Sequence, residues 1–272
     1  MEKKYRFSWL TPVAIIIACF HMIPVIITFI VSISKYGEKK SYWKIPYKWE
    51  FMNYVEAYKI GELGNAFKNT LFITLIVVIA VVLLGSMTAY PLARNKSKFN
   101  NNVLNGILAI MMIPSLSVLV PLYTFMVKIN GVNTFWGIII IHITYSLPSC
   151  IFLFKNFIES IPIQLDEAAL IDGCSIFDIF YRIILPQLKP VIATIIIFTG
   201  VGVWNDYANS LYFLQKDSMK TLTLAIAGFF QETSSNTNVA AAAALIAVLP
   251  IVIAYIVLQK AFIKGAVDSA IK

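Results

Sequence analysis

The composition of this chain is that of a membrane protein. It has 272 residues, of which 59% are hydrophobic and 13% charged, and its mean hydropathy is +0.78, whereas a soluble globular chain carries about 25% charged residues. Disorder and a large soluble catalytic domain are therefore excluded. The net charge of +8 comes from Lys and Arg at the ends of apolar runs, where they meet lipid headgroups. We interpret the basic charge as a signal of membrane topology rather than of nucleic-acid binding.

Six apolar stretches are long enough to cross a bilayer as helices, which takes about 20 residues each. Lipid provides no water for backbone groups, and none of the stretches alternates strictly as a barrel strand does, so helices are predicted. The predicted spans are residues 10–34, 69–93, 103–127, 133–154, 190–214 and 238–260. The sequence thus predicts an all-α integral membrane protein, with six transmembrane helices in a single domain over residues 1–272.

Three connections between these spans are long, namely residues 35–68, 155–189 and 215–237. Basic residues beside the helix ends favour, by a narrow margin, the side that holds both termini and residues 155–189 as the cytoplasmic one. Residues 35–68 and 215–237 are then external loops.

The sequence contains no motif for catalysis. No Gly is followed by Lys, so no loop can cradle nucleotide phosphates, and G-x-S-x-G is absent. The two histidines, His21 and His142, are far apart, and the three cysteines have no metal or disulfide spacing. We predict that the chain is not an enzyme and binds no metal or cofactor of its own.

Residues 160–190 are predicted to form two short helices joined by a tight turn. Pro162 should begin the first and Gly173 should end it. Ser175, with Asp178 three residues later, resembles a capping box, and Pro186 should stop the second helix. Several apolar side chains in this loop need a cover, and the residues alone leave open whether that cover is the membrane helices or a partner. They are Leu165, Ala168, Ala169, Leu170, Phe177, Phe180 and Tyr181.

The same loop resembles the EAA motif of binding-protein-dependent ABC importer permeases. The residues that match the motif in type and spacing are Glu167, Ala168, Ala169, Gly173, Ile183, Leu185 and Pro186. Other segments look like those of the smaller permease subunit of maltose-type carbohydrate importers. They are Asn53-Tyr54, Asn69-Thr70, Trp204-Asn205-Asp206-Tyr207 and the tail from Gln259 to Gly265.

The resemblance implies a type I ABC importer permease fold and a transport function. In such importers the loop carries a coupling helix, here with Glu167 paired to a basic residue in a groove of a cytoplasmic ATPase. The implied partners are a second, larger permease subunit, a homodimeric or heterodimeric ATPase that uses ATP and Mg, and an extracytoplasmic sugar-binding protein. The implied activity is import of a sugar or oligosaccharide across the cell membrane by alternating access. The external loop from Lys216 to Asn238 would reach into the binding protein.

Polar residues inside two predicted spans are candidates for the translocation path. Asn205, Asn209 and Tyr212 are spaced by four and three residues, so they should share one face of the fifth span. A second polar face consists of His142, Tyr145, Ser146 and Ser149. Such faces line a water-filled cavity or bond to a neighbouring helix, and the sequence leaves both readings open.

Two other functions stay open at the level of the sequence. The EAA motif also occurs in ABC permeases for amino acids, phosphate, metals and peptides, so the cargo could be a non-sugar solute. An ATPase-independent secondary carrier is disfavoured, because no internal repeat is evident.

Overall fold

A computed structural model describes residues 10–35, 44–231 and 236–270, and every regular element within these ranges is helical. The α-helices in chain order are α1 (Leu10–Ser32), α2 (Met52–Ile60), α3 (Leu63–Arg94), α4 (Lys98–Met111), α5 (Leu119–Lys128), α6 (Phe135–Glu159), α7 (Gln164–Ile171), α8 (Ile176–Asp178), α9 (Leu185–Gln187), α10 (Lys189–Trp204), α11 (Ala208–Phe213), α12 (Leu222–Gln231) and α13 (Thr237–Ala270). A π-helix, Ile179–Ile184, joins α8 to α9, and 3₁₀ turns at Ser115–Val118 and Asp217–Met219 precede α5 and α12. The predicted all-α fold is confirmed.

Four of the described helices, α1, α3, α6 and α13, are long and apolar enough to cross a bilayer individually. Two bent pairs satisfy the same requirement together: Lys98–Met111 with Ser115–Lys128, bent by 91°, and Ile176–Gln187 with Lys189–Trp204, bent by 73°. Counting each bent pair as one span raises the number to six. The exact number of six therefore stays a prediction.

Two of the predicted spans differ from continuous helices. The span expected over residues 103–127 is interrupted between Met111 and Ser115, because Pro114 lacks a backbone N–H and disfavours helical geometry in the residue before it. The span expected over residues 190–214 is interrupted between Trp204 and Ala208. There Asp206 accepts hydrogen bonds from the backbone N–H groups of Asn209 (3.3 Å) and Ser210 (2.8 Å), which caps a new helix.

The predicted external loops contain helices of their own. Residues 35–68 include α2 and the start of α3, and residues 215–237 include α12. Residues 36–43 and 232–235 of these loops lie outside the described residues, as do the basic residues Lys3, Lys4 and Arg6 that entered the prediction of topology.

The chain divides into two compact units. The first comprises the described parts of Met1–Gly64 and Ala225–Leu249, and the second those of Asn65–Leu224 and Pro250–Lys272. The assignment of one domain to residues 1–272 remains a prediction.

In the first unit, two amides close the end of α1. The Asn53 side-chain nitrogen donates to the carbonyls of Ser32 (2.8 Å) and Ser34 (2.9 Å), and that of Asn238 donates to those of Val31 and Ser34 (both 2.8 Å). Carbonyls at the end of a helix have no partner within it. Asn53, of the Asn53-Tyr54 segment, lies in α2 and caps the carboxyl end of α1 through its side chain.

In the second unit, α6 is the central helix and packs against α4, α10 and α11. Its Ile138, Phe154 and Ile158 are fully buried. The side chains of Asn69 and Thr70 hydrogen-bond to the backbone that connects α11 to α12. Asn69 donates to the carbonyls of Ser218 and Lys220, both at 3.0 Å, and the Thr70 hydroxyl accepts from the N–H of Leu222 at 2.9 Å.

Candidate functional site

The helix α7 carries the first part of the EAA motif and ends in a Schellman turn. The N–H of Cys174 donates to the carbonyl of Ala169 at 2.9 Å, and that of Gly173 donates to the carbonyl of Leu170 at 3.1 Å. Gly173 has φ of +82°, a conformation that costs an L-residue energy and that glycine adopts freely. Gly173 ends the helix as predicted, and the helix begins at Gln164, within two residues of Pro162.

The second helical segment of the loop begins at Ser175. The Ser175 hydroxyl accepts from the N–H of Asp178 at 3.2 Å and lies 2.6 Å from its carboxylate, which is the predicted capping interaction. The segment ends at Gln187, one residue beyond Pro186, and the bend to α10 comes at Leu188. That Pro186 itself stops the helix stays a prediction.

The loop has a covered side and an uncovered side. Asp166, Ala169, Ile179 and Phe180 are at most 5% exposed. Glu167 and Ala168 are exposed, and so are several large apolar side chains: Leu165, Leu170, Ile171, Ile176, Phe177 and Tyr181. Part of the apolar surface thus packs within the second unit, and the rest is uncovered on this chain.

The remaining motif residues pack the far end of the loop. Ile183 and Leu185 are half-buried, and Pro186 is exposed. Ile184, which lies between the first two and is not a motif position, is fully buried. Ile183 and Leu185 therefore help to hold the π-helix and α9 in the second unit.

A groove opens beside the uncovered side of α7. It lies between the end of α3, α7 and the segment from Ile176 to Phe180, and its volume is about 480 Å³. Its lining is mostly apolar, from residues such as Leu170 and Phe177, and includes Glu167 together with Tyr90, Arg94 and Asp166. An exposed apolar groove with a carboxylate in its lining suits a protein partner that supplies a basic group.

A polar cluster ties α7 to α3. The guanidinium of Arg94 binds both carboxylate oxygens of Asp166, with Nη2 to Oδ1 at 2.9 Å and Nε to Oδ2 at 3.0 Å. The Tyr90 hydroxyl donates to Oδ2 at 2.8 Å. The second terminal nitrogen of Arg94 donates to the carbonyls of Ile158 and Ile161, at 3.1 and 3.0 Å.

The sequence patterns did not predict this cluster. Arg94 is one of the basic residues beside the ends of the predicted spans, and Asp166 stands next to Glu167 without matching a position of the motif. One signal was present: Tyr90 and Arg94 are four residues apart and therefore share a face at the end of a spanning helix.

The candidate path residues do not share one face of a continuous helix, because the helix is interrupted after Trp204. Asn205 ends α10 and is exposed, and Tyr212 is 45% exposed. The Asn209 side chain donates to Asp206 Oδ1 at 2.8 Å. The Asn209 side chain is thus bound to the capping residue Asp206, and a role of any of the three in the translocation path stays a prediction.

His142 is buried, with its Nε2 atom 3.7 Å from Asp206 Oδ2. Across residues 10–35, 44–231 and 236–270, no three or more His, Cys, Asp or Glu side chains lie close enough together to hold a metal ion.

Comparisons with known proteins identify the family of this chain. Residues 81–267 match the family model described as binding-protein-dependent transport system inner membrane component. The chain is 43% identical over 264 residues to the melibiose/raffinose/stachyose import permease protein MelC of Bacillus subtilis, covering 97% of this chain and 96% of that protein. It is 30% identical to the multiple sugar-binding transport system permease protein MsmG of Streptococcus mutans, covering 100% and 99%.

The fold also matches a solved structure, that of a bacterial ABC transporter involved in the import of the acidic polysaccharide alginate. The TM-score is 0.79 at 21% sequence identity, with 94% of this chain and 98% of that chain covered. The match confirms the type I ABC importer permease fold. The chain belongs to the family of binding-protein-dependent transport system inner membrane components, and is thus a permease subunit of an ABC importer rather than an enzyme.

Proposed function

We propose that this permease imports a sugar or short oligosaccharide. The observation that carries the proposal is the similarity, over nearly the whole length of both chains, to a permease named for melibiose, raffinose and stachyose import. These three sugars share a terminal α-linked galactose, so galactose-containing oligosaccharides are the first substrates to test.

The working importer contains four kinds of component. This chain pairs with a second, larger permease subunit, and an extracytoplasmic binding protein delivers the sugar. A cytoplasmic ATPase, homodimeric or heterodimeric, hydrolyses ATP with Mg²⁺. Both termini and the loop that contains α7 lie on the cytoplasmic side, where the ATPase is.

The uncovered side of α7 is the docking surface for the ATPase. Leu170, Ile171 and Phe177 are 54%, 86% and 70% exposed, and Glu167 is exposed among them. Seating this surface in a groove removes apolar area from water and desolvates the Glu167 carboxylate, which then needs a basic partner. Removing one member of such a buried pair costs about 2–5 kcal/mol. Closure of the ATPase dimer moves α7 and switches the path between outward-open and inward-open states.

The first experiment identifies the proteins that co-purify with this chain. The tagged chain is purified from native membranes in mild detergent, and its partners are identified by mass spectrometry. The ATPase and a second permease should co-purify, and a variant that combines Glu167→Arg with Gly173→Val should lose the ATPase but keep the permease. Asp172→Asn, an exposed change at the end of the same helix, is the matched control and should keep both.

The second experiment identifies the cargo. The complete importer is reconstituted in proteoliposomes and offered labelled melibiose, raffinose and stachyose, with a labelled amino acid for comparison. Uptake of a sugar should require both ATP and the binding protein. Uptake of only the amino acid would reject the sugar assignment, and a chain that purifies without any ATPase and transports alone would be a secondary carrier.

A further inference from the structure

Asp166 is the most completely bonded carboxylate of the α7 loop. Its side chain is 8% exposed, and its two oxygens accept three hydrogen bonds, all from α3. Two come from the fork of Arg94 and one from Tyr90. A bidentate pair between a guanidinium and a carboxylate fixes orientation as well as distance, so the first turn of α7 is held in one position against the last turns of α3.

Arg94 holds the chain on both sides of the turn that leads into α7. Its other terminal nitrogen binds the carbonyl of Ile158, in the last turn of α6, and that of Ile161, in the connection to α7. One guanidinium at the end of α3 therefore joins the end of α6, the connecting turn and the start of α7. Its side chain is 13% exposed, so water competes little for these bonds.

Asp166 and Glu167 are neighbours in α7 but lie on different sides of the helix. Successive residues of an α-helix are about 100° apart around its axis. Asp166 and Ala169 face the interior of the second unit, to which α7 belongs, and are buried. Glu167 and Ala168 face outward and are exposed. Glu167 is thus presented outward, whereas the Asp166 carboxylate is already bound by Arg94 and Tyr90.

We propose that Arg94, Asp166 and Tyr90 form the link through which movement of α7 is transmitted to the spanning helix α3. This inference rests on the proposed function, since it needs an ATPase that moves α7. Apolar contacts between α7 and its neighbours are non-directional and allow sliding, whereas the bidentate pair resists displacement in every direction. The three residues are positioning residues, which act by holding α7 against α3.

The test measures sugar taken up per ATP hydrolysed by the complete importer in proteoliposomes. Asp166→Asn keeps the size of the side chain but removes its charge, and Arg94→Lys keeps the charge but removes the fork. Each should lower the uptake per ATP about ten-fold or more, because Asn leaves the buried Arg94 charge unpaired and Lys cannot form the bidentate contact. Tyr90→Phe leaves the ion pair in place and should lower it about five-fold, since only one hydrogen bond is lost.

Two matched controls use the same substitutions on exposed residues of the same loop. Asp172→Asn and Arg182→Lys should leave the uptake per ATP unchanged, because Asp172 is exposed and the Arg182 side chain is 79% exposed. In all variants the amount of ATPase that co-purifies, and the rate of ATP hydrolysis, should remain at the level of the unaltered importer.

Three results would overturn the proposal. Asp166→Asn and Arg94→Lys could transport with unchanged uptake per ATP, which means that the cluster transmits nothing. Uptake and ATP hydrolysis could fall together, or the ATPase could be lost, in every variant including the mild Tyr90→Phe, which means that the cluster only supports folding or docking. If the unaltered chain neither binds an ATPase nor transports with ATP, the proposed function itself fails, and this link fails with it.

Discussion

Substitution of Gly173 is the sharpest test of whether the loop that contains α7 needs a left-handed backbone conformation at its turn. Gly173 has φ of +82°, and a Cβ atom placed on it meets no other atom within 4 Å. Any cost of a side chain here therefore comes from the backbone conformation rather than from crowding inside the chain. The series Gly173→Asn, Gly173→Ala and Gly173→Val separates the cost of the backbone conformation from crowding against the partner ATPase.

The magnitude follows from the left-handed conformation. An L-residue pays roughly 1–2 kcal/mol to adopt it, which lowers the ratio of intact to open turn about 5- to 30-fold. Asn adopts this conformation more readily than Ala, whereas a β-branched residue is a genuine outlier there. Loss of the intact turn should therefore increase in the order Asn, Ala, Val.

Two measurements should show losses that increase in this order. Hydrogen exchange of the Cys174 amide, which donates to the Ala169 carbonyl at 2.9 Å, reports directly on the turn. ATP-driven uptake in proteoliposomes reports on coupling, and Gly173→Val should abolish most of it while the two permease subunits remain assembled.

The reasoning about the backbone is refuted if Asn and Val are equally harmful. Their side chains are of similar size, so equal loss would mean that the partner ATPase has no space for any side chain at this position. Normal uptake by Gly173→Val would show instead that Gly173 is a convenient turn residue with no part in coupling.

Three further substitutions test individual contacts. Ser175→Ala removes the cap on the Asp178 amide at a cost of about 0.5–2 kcal/mol, so hydrogen exchange of that amide should accelerate, and unchanged exchange would contradict the capping role. Asp206→Ala removes four hydrogen bonds to the start of α11 and should lower the thermal midpoint of the purified chain by about 2–4 °C per kcal/mol lost; an unchanged midpoint would argue against that cap. Asn69→Ala removes two hydrogen bonds to the segment between α11 and α12 and leaves the Lys220 carbonyl without its side-chain donor, so it should speed proteolysis there more than Asn65→Ala, which removes a single exposed bond to Ser218; equal rates in the two variants would contradict this.

The sequence by itself determined the features that depend on residues close together in the chain. Charge-free runs as long as a bilayer is thick specify membrane helices, because unsatisfied backbone groups are too costly in lipid. The turn at Gly173 and the cap at Ser175 depend on hydrogen bonds that span three to five residues, so residue type and spacing were enough to predict both. The spacing from Glu167 to Pro186 was likewise enough to indicate the family.

Only the tertiary structure decided which polar groups meet across the chain. Arg94 and Asp166 are 72 residues apart, and nothing in the local pattern of either residue indicates the other. The interruption after Trp204 is different, because Asp206 bonds to amides only three and four residues ahead; this local signal was present in the sequence but lay within an apolar run that favours one continuous helix. Local bonds are encoded in short segments, whereas a buried ion pair exists only after separate helices have packed, because packing brings the two charges together and excludes the water that would otherwise solvate them.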